Sequence, residues 1–393
     1  MTKQKLFTNP IFFAGILTLI ILVITAQGLL LKSEPSGPGG ITYTHYNNYL
    51  IFKQSYFHLI ENKNLYQLYP DEHWDYYKYS PTFSLLMSPL ANLPDPVGLF
   101  IWNLLNGIIL FFALWKLPDQ TDKSRLYMVG FILLELITTL RNSQSNGLIA
   151  GLIILAFIFL EKKRTAIASL LIVLTIFIKL FGLVALALFI LYPNKTKAVA
   201  YTIGWTLLLA GLPLVVVSFP QLSHLYHEWL ALLKNDHNAS YGLSVAGWIY
   251  SWFGVEAKNT IVIIGAVLFC LPIIKYKLFK DLKFKLFFLS SVLIWVVIFN
   301  HKAESPTFII AVSGIAIWFF SQQRKTENVI LLILAFLLTI LSPTDIFPKS
   351  IRDNYVAPYA LKALPCILIW FKITADLIFY QPEKGAIKRL PAT

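Results

Sequence analysis

Apolar runs of about 20 residues recur along the whole chain and constrain its fold more than any other feature. As a helix, a run of that length crosses the hydrocarbon core of a bilayer, because each residue adds about 1.5 Å. Hydrophobic residues make up 57% of the 393 residues and charged residues only 13%. That composition excludes an ordinary soluble domain. The sequence therefore predicts an all-α polytopic membrane protein.

These runs predict about ten to twelve transmembrane helices in a single membrane domain, 1–393. The first run is longer than the apolar core of a signal peptide, and no small-residue cleavage site follows it, so we expect it to be retained. The predicted spans are 11–31, 97–116, 127–141, 146–161, 164–178, 181–193, 197–219, 259–275, 286–300, 305–321, 327–342 and 358–380.

Basic residues lie mainly in short segments between the predicted helices, which explains the net charge of +13. Examples are Lys123 with Arg125, and Arg324 with Lys325. Such clusters are typical of cytoplasmic loops and of contact with anionic membrane lipid, and they do not form a nucleic-acid patch. The pattern predicts a multi-pass protein of the cell (inner) membrane with both termini in the cytoplasm.

With this orientation, two long segments face outwards: the first outer loop, 32–96, and the second outer loop, 219–258. The first outer loop interleaves aromatic and polar residues, as in YPDEHWDYYKYSP. Aromatic rings stack on the C–H faces of sugars, while polar groups bond the hydroxyls, so the pattern suits a carbohydrate. The apolar segment 81–93 is too short to span a bilayer and predicts a short interfacial helix.

Familiar catalytic and nucleotide-binding motifs are missing from the sequence. It has no glycine-rich phosphate loop, no HExxH and no GxSxG, and Cys270 and Cys366 both lie in apolar runs. We therefore expect no cofactor and no divalent metal. Potential metal ligands occur close together at Asp71, Glu72, His73 and Asp75, but their spacing matches no defined metal site.

Cations and amides at the short outer turns are candidates for binding a substrate. Positive residues on the outer side oppose the usual charge bias, so they either reach lipid headgroups or bind a lipid-linked phosphate. The candidate phosphate ligands are Arg141, Lys179, Lys302 and Arg352. The other candidate binding residues are Asn47, Asn48, His73, Lys78, Tyr79, Gln144, Asn146 and His301. For each of them alone, a solvated loop residue is the alternative interpretation.

The segment NNYLIFKQSYFHLIENKNLYQLYP, followed by KYSPTFSLLMSPLANLPDPVGLFIWNLLN, resembles glycosyltransferase family 87 of the GT-C superfamily. The residues that carry the resemblance are Tyr49, Phe52, Tyr66, Tyr79, Pro81, Pro89, Leu90, Leu93, Pro94, Trp102 and Asn103 or Asn106, with weaker similarity at Gln144, Asn146, Lys179 and 238–240. The resemblance implies a GT-C-type helical bundle whose large first extracytoplasmic loop contains short interfacial helices. It also implies transfer of a hexose, with mannose as the first candidate, from a polyprenyl-phosphate sugar to an extracytoplasmic glycan or lipid acceptor.

One departure from the family pattern affects the catalytic base. The family's aspartate in this loop falls on Asn47 or Asn48, and an amide cannot take a proton from a hydroxyl. Two alternatives therefore stay open: a transporter or flippase of a lipid-linked or small polar substrate, and a catalytically inactive relative. If the protein is an enzyme, the candidate catalytic residues are Asp71, Asp75, His45 and Glu304.

Overall fold

The computed structural model describes residues 9–35, 42–237 and 241–382. The two terminal segments, whose cytoplasmic location is predicted above, and the family similarity at 238–240 lie outside the described residues. The chain forms two compact units. The first unit comprises residues up to Pro118, Glu135–Leu183 and Thr196–Ser240, and the second comprises Asp119–Leu134, Val184–Lys195 and the residues from Tyr241 onwards.

Helices dominate the described residues. They are α1 (Pro10–Leu30), α2 (Asn47–Ile60), α3 (Pro81–Leu86), α4 (Ser88–Ala91), α5 (Asp95–Trp115), α6 (Asp122–Arg141), α7 (Asn146–Glu161), α8 (Thr165–Ile178), α9 (Gly182–Ala185), α10 (Lys195–Gly211), α11 (Phe219–His237), α12 (Val245–Phe253), α13 (Lys258–Cys270), α14 (Leu282–Ile298), α15 (Phe308–Phe320), α16 (Thr326–Leu334), α17 (Lys349–Ile351) and α18 (Leu364–Ile378). Tighter or wider turns extend several of them at Leu186–Leu191, Leu212–Val215, Leu271–Leu278, Ser305–Thr307, Ala335–Leu341 and Arg352–Val356. A two-residue strand, β1 (Glu34–Pro35), pairs antiparallel with β2 (Thr42–Tyr43).

Each predicted span coincides with a helical segment, so the predicted all-α polytopic fold class is confirmed. Within the described residues, four helical segments are long and apolar enough to cross a membrane, and five shorter apolar ones accompany them. The long segments are Pro10–Leu30, Asp95–Trp115, Lys195–Val215 and Lys258–Leu278.

Both outer loops contain more helix than the sequence interpretation assigned. The short helix predicted at 81–93 is present as α3 and α4, but α2 was not predicted. The second outer loop is largely helical, as α11 and α12. The spacing of Leu222, Leu225 and Trp229 is the sequence pattern that indicates helix α11, because all three side chains lie buried on one face of it.

In the first unit, α5 packs against α1 and α7, and α7 packs against α8. Gly147 and Gly151 lie one turn apart on α7, where the backbones approach closely. A Cβ atom would come within 3.0 Å of the Asn106 carbonyl oxygen at the first position, and within 2.9 Å of the Leu110 amide nitrogen at the second. Small residues at this spacing are a common means of close packing between membrane helices.

The second unit has its core where α14 packs against α15 and α18. Trp370 on α18 donates from its indole nitrogen to the Ser291 hydroxyl at 3.0 Å. The carboxylate of Asp376, on the predicted span 358–380, forms an ion pair with Lys372, one turn earlier on the same helix. Such pairing would offset the cost of a charge within a span.

Candidate active site

The start of α3 connects the first outer loop to the end of α8. Ser80 caps α3, because its hydroxyl accepts a hydrogen bond from the Phe83 amide at 3.1 Å. The same hydroxyl donates to the carbonyl oxygen of Phe177 at 2.6 Å. Ser80 is fully buried, so this bond is shielded from water. It brings Tyr79 and Lys179, on the two connected segments, beside each other.

The ammonium of Lys179 lies among amide oxygens and aromatic rings. Its Nζ atom lies 2.9 Å from Oε1 of Gln144 and 3.1 Å from Oδ1 of Asn146. It also lies 5.6 Å from the ring centroid of Tyr79 and 5.5 Å from that of Phe181. Both amides are buried, whereas Lys179 itself is partly exposed. We call Tyr79, Gln144, Asn146 and Lys179 the lysine cluster.

The turn that carries Gln144 and Asn146 is held by the middle of α5. The indole of Trp102 donates to the Ser143 carbonyl oxygen at 2.8 Å. Oδ1 of Asn106 accepts from the Leu148 amide at 2.9 Å. Because the side chains of Trp102 and Asn106 are both buried, these bonds hold the turn next to Lys179. Trp102 and Asn106 carry the family resemblance, but the sequence did not indicate this positioning role.

Buried tyrosines hold the backbone next to the cluster. The hydroxyl of Tyr66 donates to the Tyr79 carbonyl oxygen at 3.0 Å, and that of Tyr77 donates to the Ser80 carbonyl oxygen at 2.7 Å. Burial raises the pKa of both phenols well above the ordinary value. They therefore remain protonated donors and cannot act as bases at neutral pH.

Asn47 and Asn48, at the start of α2, bond to backbone groups. Asn47 donates from Nδ2 to the Trp74 carbonyl oxygen at 2.6 Å and accepts on Oδ1 from the Trp74 amide at 2.8 Å. Asn48 donates to the carbonyl oxygen of Asn142 at 2.9 Å. These bonds tie the first outer loop together and to the turn after α6.

The candidate bases of the first outer loop have different surroundings. Asp75 has a positive φ of 83°, accepts from the Tyr76 amide at 2.7 Å and pairs with Lys78 at 3.2 Å. Asp71 is exposed. His45 is also exposed and bonds the carbonyl oxygen of Lys32 at 3.1 Å. Asp75 is therefore the carboxylate with the most defined geometry among these candidates.

His73 belongs to a buried pair of imidazoles. His58 bonds the carboxylate of Glu72 at 2.8 Å, and its ring centroid lies 6.4 Å from that of His73. Burial lowers the pKa of His58 below its ordinary value, although Glu72 acts in the opposite direction. Burial, together with the neighbouring His58, also lowers the pKa of His73. Both rings are thus neutral at physiological pH.

The remaining candidates lie elsewhere on the chain. Arg141 is exposed at the end of α6. His301, Lys302 and Glu304 lie in the second unit, before α15, and Lys302 donates its backbone amide to Oδ1 of Asn300 at 2.9 Å. Arg352, also in the second unit, pairs with Asp353 at 3.2 Å. Within residues 9–35, 42–237 and 241–382, no three His, Cys, Asp or Glu side chains are placed to hold a metal ion.

A model of glycosyltransferase family 87 matches residues 77–343, about two-thirds of the chain, including the whole lysine cluster. The chain belongs to glycosyltransferase family 87. It is accordingly an enzyme of the glycosyltransferase class, and the family resemblance of the sequence is confirmed. No curated protein matches this family-87 member significantly. Among solved structures it is similar to ArnT from Cupriavidus metallidurans bound to undecaprenyl phosphate, with 10% sequence identity and a TM-score of 0.41. The alignment covers 94% of this chain and 76% of the ArnT chain.

Proposed function

We propose that this glycosyltransferase transfers a hexose from a polyprenyl-phosphate donor to an extracytoplasmic glycan or glycolipid, with mannose as the first sugar to test. The observation that carries the proposal is the lysine cluster, in a chain whose family transfers sugars. The same proposal places the enzyme in the inner membrane with both termini in the cytoplasm, as the distribution of basic residues predicts.

Lys179 suits the phosphate of such a donor. Its ammonium bonds two neutral amide oxygens at 2.9 and 3.1 Å. A phosphate oxygen is a stronger acceptor than an amide oxygen, because the bond is assisted by charge on both sides. The two amide NH₂ groups can then donate to the same phosphate. A cation placed there would stabilise the charge that develops on the departing phosphate.

The proposed reaction is a direct displacement at the anomeric carbon. The acceptor hydroxyl oxygen forms a bond to that carbon, and the bond from the carbon to the phosphate oxygen breaks. The electron pair leaves with the polyprenyl phosphate, and the hydroxyl proton passes to a base. We propose Asp75 as that base, because contacts with Tyr76 and Lys78 fix its carboxylate. Asp71, His45 and Glu304 follow in order of testing.

The test is transfer from a panel of polyprenyl-phosphate hexoses by the purified full-length enzyme in lipid nanodiscs. Lys179→Met should lower the transfer rate about 100-fold or more, as expected for loss of charge stabilisation at a leaving group. Lys179→Arg should retain part of the rate. Lys162→Met, an exposed lysine at the end of α7, is the matched control. Wild-type rates for Lys179→Met would overturn the assigned role.

The proposed base, Asp75, is tested against Asp71, a second carboxylate of the first outer loop. Asp75→Asn should lower transfer about 100-fold or more, which corresponds to loss of general-base assistance, whereas Asp71→Asn should stay near wild type. The reverse result would assign the base to Asp71 instead.

We propose that no metal takes part, so transfer should persist in a chelator. Absence of transfer from every donor, with substrate uptake in proteoliposomes, would support the transporter alternative.

A further inference from the structure

A groove of about 620 Å³ lies in the second unit, between α6, α15 and the start of α16. None of its lining residues belongs to the lysine cluster or takes part in the proposed reaction. Apolar and aromatic side chains line most of it, and Arg324 lies at its edge. Its volume falls within the range of ordinary ligand-binding sites.

Two kinds of contact build the groove. The hydroxyl of Ser124 donates to the Phe320 carbonyl oxygen at 2.9 Å and so holds α6 to the end of α15. The ring centroid of Phe320 lies 5.8 Å from that of Tyr127 and 6.4 Å from that of Phe131. Gly130 also lines the groove, and a Cβ atom at this position would meet nothing within 4 Å, so a larger side chain there has room to enter it.

Two cations share one aromatic ring at the mouth of the groove. Nζ of Lys123 lies 5.7 Å from the ring centroid of Tyr127, and Cζ of Arg324 lies 5.9 Å from the same centroid. All three side chains are exposed. Of the neighbouring charges, Arg125 is paired with Asp122 at 2.9 Å. The mouth is therefore positively charged and the interior apolar.

We propose that this groove binds an anionic phospholipid, with an acyl chain in the apolar part and the phosphate between Lys123 and Arg324. A free anion would leave the apolar part empty, whereas an acyl chain fills it. The basic segments at this end of α6 and α15 are those predicted to face the cytoplasm, where anionic lipids attract Lys and Arg. Charge complementarity thus favours an anionic lipid over a zwitterionic one.

The experiment is native mass spectrometry of the purified full-length protein with phosphatidylglycerol or phosphatidylcholine of identical acyl chains. The wild type should retain phosphatidylglycerol in preference. Gly130→Leu fills the groove with a good helix former and should lower the bound fraction several-fold. Gly204→Leu, at a helical glycine on α10 that also has nothing within 4 Å of a Cβ atom, is the matched control. The control should bind lipid like the wild type.

A second pair of variants tests the charge. Lys123→Gln with Arg324→Gln should reduce the preference for phosphatidylglycerol about tenfold or more, since two lipid-facing charges are lost. Lys195→Gln with Lys197→Gln, two exposed lysines at the start of α10, should keep it. The proposal is overturned if Gly130→Leu binds as the wild type does, or if both lipids bind equally. Displacement of phosphatidylglycerol by millimolar inorganic phosphate would also overturn it, in favour of a free-anion site.

Discussion

The side-chain amide of Asn47 uses both of its polar groups on one backbone unit, Trp74, at 2.6 and 2.8 Å. An aspartate there could accept from the Trp74 amide, but it would face the Trp74 carbonyl oxygen with a second acceptor. Asparagine is therefore the residue that this contact requires. Where the family resemblance implies an aspartate at Asn47 or Asn48, this chain uses the first of these positions to hold its outer loop.

We expect Asn47→Asp to destabilise the protein by about 1–2 kcal/mol, because a hydrogen bond is replaced by repulsion between two acceptors at a partly buried position. Thermal unfolding in detergent measures the loss. Asn62→Asp, an exposed position on the same loop, adds the same charge and should leave stability unchanged. A gain in transfer rate without loss of stability would instead show that Asn47 occupies the place of a base.

At the scale of elements, α2 lies against α5 at a glycine. A Cβ atom at Gly98 would come within 1.9 Å of the Tyr49 hydroxyl oxygen and 3.0 Å of the Leu90 carbonyl oxygen. Tyr49 is fully buried, so its ring cannot swing into solvent. We expect Gly98→Ala to lower the free energy of unfolding by about 1–3 kcal/mol, as overpacking does in other cores.

Removing the hydroxyl should relieve that clash. In Tyr49→Phe the nearest side-chain atom becomes the ring carbon, 3.0 Å from the added Cβ atom. The double variant Gly98→Ala with Tyr49→Phe should therefore recover part of the stability that Gly98→Ala loses. Thermal unfolding of the four proteins forms a double-mutant cycle. Strict additivity would show that α2 can shift on α5 at little cost.

The segment between α2 and α3 should loosen at low pH. In the folded protein, burial keeps His58 and His73 neutral and lowers the pKa of each. The unfolded chain takes up protons at the ordinary pKa of about 6.5, so the free energy of unfolding falls as the pH drops below that value. The hydrogen-exchange protection factors of residues 58–75, which are corrected for the pH dependence of the intrinsic exchange rate, should fall between pH 7.5 and 5.5.

A variant comparison identifies the groups responsible for this pH dependence. His73→Phe removes one of the two buried imidazoles and should reduce this loss of protection. His224→Gln, at an exposed position on α11, should leave the loss of protection unchanged. An equal loss of protection in the wild type and in His73→Phe would place the sensitivity elsewhere.

The apolar runs predicted the positions of the apolar helices in the described residues, because length and hydropathy are the main signals of a segment that can span a bilayer. They could not predict α2 or α11, since each has only one buried face and polar residues interrupt its apolar pattern. The candidate site shows the same limit. Lys179 and Gln144 were found by their residue type at helix ends. Only tertiary contacts, such as those of Ser80 with Phe177 and of Trp102 with Ser143, fix the positions of their two segments.

At the scale of the whole molecule, the basic segments predict the orientation of the chain. The segment between α7 and α8 holds Lys162, Lys163 and Arg164, and the positive-inside rule places it in the cytoplasm. This prediction puts the first outer loop on the opposite side, as the proposed lipid-linked donor and extracytoplasmic acceptor would require. Gln67 in that loop and Arg164 are both exposed, so either position can carry a reporter.

Labelling of intact cells with a membrane-impermeant maleimide tests this orientation. In a background of Cys270→Ser and Cys366→Ala, Gln67→Cys should react before the cells are broken, and Arg164→Cys only afterwards. The background protein without a new cysteine controls for other thiols. Because the two positions lie on either side of predicted spans, a single inverted result would mean that one helix fails to cross. Inversion of both would place the lysine cluster on the cytoplasmic side, where soluble nucleotide sugars would compete with a lipid-linked donor.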